Sequence, residues 1–76
     1  MKIADWLFGV NKNKDRVEFT LEYYGKKHAE IKEFPKGTDN EYIMWEYKAW
    51  LRQMYSVHDL YGIPSIYIKK DWKKLD

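Results

Sequence analysis

Residues Asn40 to Tyr61 read as one long helix, and the rest of the chain has to be arranged around it. At about 100° per residue, Ile43, Tyr47, Trp50, Met54 and Tyr61 form one apolar stripe. Thr38, Asp39 and Asn40 are all preferred N-cap residues. Thr38 and Glu41 have capping-box spacing, and Asp39 and Glu41 suit the positive end of the helix dipole. Gly62 and Pro64 close the segment, and Pro35-Lys36-Gly37 separates it from what precedes. The helix is apolar over more than one stripe. Met44, Leu51 and Tyr55 widen one edge, and Tyr42, Ala49 and Leu60 widen the other. Trp45 falls roughly opposite the stripe, beside Lys48, Ala49 and Arg52, where a two-layer domain normally meets water.

The segments on either side supply strands. Val17, Phe19, Leu21 and Tyr23 alternate with Glu18, Thr20, Glu22 and Tyr24, the pattern of a strand with one buried and one wet face. His28 to Phe34 is a second run, with Ala29 and Ile31 on one face and His28, Glu30 and Lys32 on the other. A three-residue loop, Gly25 to Lys27, would pair Leu21 with Ile31 and Tyr23 with Ala29 and keep the apolar faces together. Phe34 is then out of phase, so this strand is expected to end or bulge near Glu33. After the helix, Ile66, Ile68 and Trp72 alternate with Tyr67 and Lys69. Residues 3–8 are a short apolar block closed by Gly9, read as a short N-terminal helix or arm spanning 1–9. A polar loop follows at Asn11 to Asp15, and 69–76 reads as a basic C-terminal tail.

These elements predict one α+β domain over residues 1–76. It is a small antiparallel three-stranded sheet with one long helix packed across it, in the order (α)-β-β-α-β. The pattern does not choose which hairpin strand the third strand joins.

A chain of 76 residues buries only about 60% of its unfolded surface. It has no Cys, so no disulfide can supplement the core. The seven Tyr, four Trp and three Phe are the available compensation, since each ring buries roughly 150–250 Å². The same residue types dominate binding hot spots.

Composition excludes several function classes. His28 and His58 lie in different elements and have no neighbour at ligand spacing, so no metal site is expected. Ser56 and Ser65 lack a glycine-rich elbow, and the four Gly are too scattered for a phosphate loop. Glu18 and Glu22 stand on a wet strand face, where nothing raises a carboxylate pKa. The reading is therefore non-enzymatic, with no cofactor and no small-molecule substrate. No apolar run reaches the ~20 residues that span a bilayer, and no signal-peptide core is visible, so membrane association is not expected and the expected location is cytoplasmic. Lys outnumbers Arg twelve to two, a bias that accompanies AT-rich coding sequence, as in low-GC bacteria and phages.

Two surfaces remain as candidates. The first is the outer helix face of Tyr42, Trp45, Lys48, Ala49 and Arg52, read as the contact surface of a small accessory or inhibitor module that self-associates or binds a protein target. Its competitor is cover from within the chain, by Trp6, Leu7 and Phe8. The second is an aromatic and basic sheet face of Tyr24, His28, Lys32, Tyr67 and Lys69, which would bind nucleic acid by stacking bases and neutralising phosphates. Glu18, Glu22 and Glu30 are expected on that face too and oppose this use. The block Met1 to Phe8, followed by Lys12, Lys14 and Arg16, has the outline of a short interfacial anchor, interrupted by Asp5.

Overall fold

The computed structural model describes residues 14–75. Strand β1 spans Lys14–Tyr23, β2 spans Lys26–Pro35, helix α1 spans Asn40–Val57, and β3 spans Ile68–Leu75 after a short 3-10 turn, Ser65–Tyr67. The fold is α+β, with one antiparallel three-stranded sheet in the order β2-β1-β3 and the helix between β2 and β3 in sequence. The N-terminal block at 1–9, with its proposed arm, cover and anchor roles, lies outside the described residues.

β1 takes the centre because it has the longest apolar run on its inward face, Val17 to Tyr23, with Asp15 polar only at its start. Val17, Phe19 and Leu21 have no solvent exposure, and they meet Ile43, Tyr47 and Trp50 of α1. The sequence stripe of the helix is thus its buried face. Phe34, Leu60 and Ile68 complete the core, and Met54, Leu51 and Trp72 pack against it half-buried. β3 joins the free side of β1, with Phe19 opposite Trp72 and Tyr23 opposite Ile68.

The hairpin differs from the sequence expectation. Tyr23 pairs with Lys26 and Leu21 with His28, so the loop is the two residues Tyr24 and Gly25 rather than Gly25 to Lys27. Both have positive φ, 47° and 77°, as a type I′ turn requires. That register places His28, Glu30, Lys32 and Phe34 on the helix side and turns Ala29 and Ile31 outward. Ile31 is accordingly 51% exposed. Phe34 is in phase, and no bulge is needed. The physical reason is width. A helix about 10 Å across covers only about two strands spaced ~4.8 Å apart, so the inward face of an edge strand need not be apolar. On β2 it is filled by Glu30, which accepts a hydrogen bond from the Trp50 indole N–H at 3.3 Å and pairs with Lys32. The Lys32 ammonium holds the Glu30 carboxyl below its ordinary range, with the Trp50 donor adding to the effect against a smaller opposing cost of burial.

Three further expectations are corrected. The capping box does not form: Asp39 occupies the N-cap without a side-chain bond, because the Thr38 hydroxyl donates to the Pro35 carbonyl instead. The stretch from Lys69 to Leu75 is not a tail, since it forms seven of the eight residues of β3. Its alternating register against β1 recruits it into the sheet.

The third correction concerns the end of α1, which stops at Val57 and not at Tyr61. Asp59 adopts a left-handed φ of 54°. The Leu60 N–H bonds the Tyr55 carbonyl at 2.9 Å, and the Asp59 N–H bonds the Ser56 carbonyl at 3.4 Å. This is the Schellman arrangement, with Asp where glycine is usual. The reversal folds Leu60 into the core at 1% exposure and leaves Tyr61 outside at 72%. Asp59→Gly is expected to raise stability by about 0.5 kcal/mol, because the strain of a side chain in this conformation exceeds the entropy that glycine adds to the unfolded chain. The check is a higher urea midpoint at unchanged slope; a lower midpoint would refute it.

Candidate interaction surface

The outer face of α1 is built by exclusion. Once Ile43, Tyr47 and Trp50 are committed to the sheet, the 3.6-residue period forces Trp45, Lys48, Ala49 and Arg52 to the opposite side. All four are exposed there. Trp45 is 74% exposed and, with Lys48 and Arg52, lines an open recess of about 210 Å³. Tyr42 is exposed at the margin, and its ring packs edge-on against Phe34 at 6.2 Å, which ties this end of the surface to the core. The structure therefore brings together the five residues Tyr42, Trp45, Lys48, Ala49 and Arg52 on one helix face.

Three properties make this face chemically distinctive. Burying a tryptophan against a partner is worth on the order of 3 kcal/mol, and here that gain is unclaimed by the described residues. Neither Lys48 nor Arg52 pairs with a carboxylate among the described residues, where the ion pairs are Lys32–Glu30 and Lys69–Glu22. Ala49 offers no bulk to hold another backbone away.

The alternative set is divided by the fold. Tyr24 sits in the hairpin turn and Tyr67 in the 3-10 turn, with their rings stacked at 5.6 Å and exposed. Lys69 lies on the outer sheet face, 3.8 Å from Glu22. His28 and Lys32 lie on the opposite, helix-facing side, a consequence of the two-residue turn. The outer face itself carries mixed charge with a net of only one positive. Four rows cross it: Lys27–Glu22–Lys69, Ala29–Thr20–Asp71, Ile31–Glu18–Lys73 and Glu33–Arg16–Leu75. Lys27, Lys69, Lys73 and Arg16 are balanced there by Glu22, Asp71, Glu18 and Glu33, and Lys14, opposite Pro35 at the end of the hairpin, adds one cation, which leaves only a weak field for a phosphate backbone.

Sequence reasoning missed one cluster. His28 of β2 and His58, just past the end of α1, meet with ring centroids 4.2 Å apart, and Tyr23 stacks on His28 at 5.7 Å. The Nε2 atom of His28 is buried without a hydrogen-bond partner. The contact joins residues thirty positions apart and depends on the hairpin register and the early helix stop, neither of which the residue pattern revealed. Among the described residues, no three His, Cys, Asp or Glu converge as a metal site, and no helix is long and apolar enough to cross a membrane.

Comparison with protein-family models, curated proteins and solved structures finds no match to this chain.

Proposed function

We propose that this protein is a small non-enzymatic interaction module that binds a protein surface through Tyr42, Trp45, Lys48, Ala49 and Arg52. The observation that carries the reading is Trp45, a large indole 74% exposed on a helix whose other face already forms the core. Aromatic anchors flanked by arginine are typical of energetic centres at interfaces. A rigid helix also presents them without an ordering cost. An accessory or inhibitor protein acting in the cytoplasm of a bacterium, or encoded by a phage, accords with the small size and the Lys-rich composition.

Trp45→Ala tests this. The variant is expected to keep the wild-type helical circular dichroism and melting temperature. It should weaken association more than tenfold, whether association is read as solution mass or as capture of a partner by the immobilised protein from cells that naturally express it. A variant that unfolds while association per folded molecule is unchanged would assign Trp45 to the core and remove the reading.

A further inference from the structure

We propose that the occupant of the Trp45 face is a second copy of this chain, docked helix against helix and antiparallel, about a two-fold axis passing midway between Trp45 and Lys48. This rests on the reading of that face as a protein contact surface and adds the identity of the partner and the register.

The order of charges along α1 carries the proposal. Glu41, Trp45, Lys48 and Arg52 fall within about 60° of one another around the helix, so they form a single narrow stripe. Their spacing is symmetric: Glu41 precedes Trp45 by four residues, and Arg52 follows Lys48 by four. A two-fold axis through the middle of this stripe brings Trp45 of one copy onto Lys48 of the other, and Glu41 onto Arg52. Each of these contacts occurs twice, as an isologous interface demands. Ammonium over indole is a favourable cation–π pairing, and Arg with carboxylate is the strongest common ion pair. The parallel arrangement would instead set Glu41 against Glu41 and Arg52 against Arg52. The match is thus specific to one orientation.

Steric conditions agree. The stripe points away from the sheet, so neither sheet obstructs the approach, and the assembly would layer as sheet, helix, helix, sheet. Ala49 flanks the stripe and permits an axis separation of about 8–10 Å. Glu41, Lys48 and Arg52 have no ion-pair partner among the described residues, so these charges are free for the pairing. The stripe is short, about 16 Å along the axis, so the contact belongs to the small and weak class of interfaces.

Sedimentation equilibrium of the full chain at low salt, from about 10 µM to 1 mM, fits that class. The wild type is expected to follow a monomer–dimer equilibrium. Glu41→Arg and Arg52→Glu should each weaken the dimer at least fivefold, because each creates two like-charge contacts. The double variant Glu41→Arg with Arg52→Glu should return to within about twofold of wild type, because both pairs re-form with reversed sign. Circular dichroism of every variant separates loss of the dimer from loss of the helix. A double variant as weak as the single ones, with all variants folded, overturns the register. If Trp45→Ala still dissociates the dimer in that case, the contact surface itself stands. A wild type that stays monomeric to 1 mM overturns the second copy as occupant, and partner capture by wild type but not by Trp45→Ala would still leave the contact surface intact.

Discussion

Phe19→Ala is expected to unfold the chain at physiological temperature. Phe19 has no solvent exposure. Its ring lies 5.2 Å from that of Tyr47, 5.6 Å from Trp50 and 6.3 Å from Phe34. It also stands on the central strand, opposite Trp72 on one side and Glu30 on the other. Removing it deletes the ring that joins helix, hairpin and third strand. Truncating a buried phenylalanine costs about 3–5 kcal/mol, while a domain of this size holds only about 5 kcal/mol in total. With no cysteine, no disulfide narrows the gap. Thermal unfolding followed by circular dichroism is the check, and a loss of this size would lower the midpoint by roughly 20 °C or more. A variant melting within a few degrees of wild type would show that the aromatic cluster is not the keystone. Phe19→Leu, which keeps most of the volume, should retain the fold at a smaller loss.

The second large effect is alkaline. Tyr47 is buried, and burial pushes its hydroxyl up from 10.0 to about 12, with the Asp71 carboxylate adding to the shift. The hydroxyl donates to the Thr20 carbonyl at 3.3 Å. Ionisation would remove that donor and leave a phenolate facing a carbonyl oxygen. The folded state therefore holds its proton more tightly than the unfolded chain does. The contribution is fully present below pH 10 and is lost as pH rises through the folded value near 12. It amounts to about 2 kcal/mol. Tyr47→Phe should lower stability at pH 7 only modestly, by about 1 kcal/mol for the hydrogen bond. Urea unfolding at intervals from pH 9 to 12 should show wild-type stability falling to that of the variant and then below it, because the loss exceeds the starting difference. Parallel curves for the two proteins across this range would remove Tyr47 as the source.

What could be seen in advance followed the physics of burial. Val17, Phe19 and Leu21 were legible because a central strand covered by a helix has to alternate, and Ile43, Tyr47, Trp50 and Met54 because a packed helix repeats near 3.6. The exposed setting of Trp45, Lys48 and Arg52 followed from the same period. Edge-strand facing was not legible. Ala29 and Ile31 looked like an inward pair, but the positive-φ turn at Tyr24-Gly25 set the register, and half-wet edges do not penalise Glu30 or Lys32 facing the helix. The end of α1 was missed for a related reason. Gly62 and Pro64 advertise a stop, yet Asp59 took the left-handed position first, so Leu60 rather than Tyr61 reached the core. The meeting of His28 and His58 depended on both, and no local signal announces such a contact.

The placement of β2 and β3 at the two rims of a small sheet has a consequence for behaviour in a crowded cell. Each rim exposes backbone donors and acceptors that could recruit another strand and seed fibrils. Along β3 the sequence Lys69-Lys70-Asp71-Trp72-Lys73-Lys74 charges five of six positions, so a second such strand would meet concentrated like charge. β2 carries Lys26, Lys27, Glu30, Lys32 and Glu33 and ends in Pro35, which has no amide proton to offer. Strand addition is thus discouraged on both sides, and growth into open-ended polymers is disfavoured. The closed helix-to-helix contact proposed above uses neither rim and is compatible with this protection.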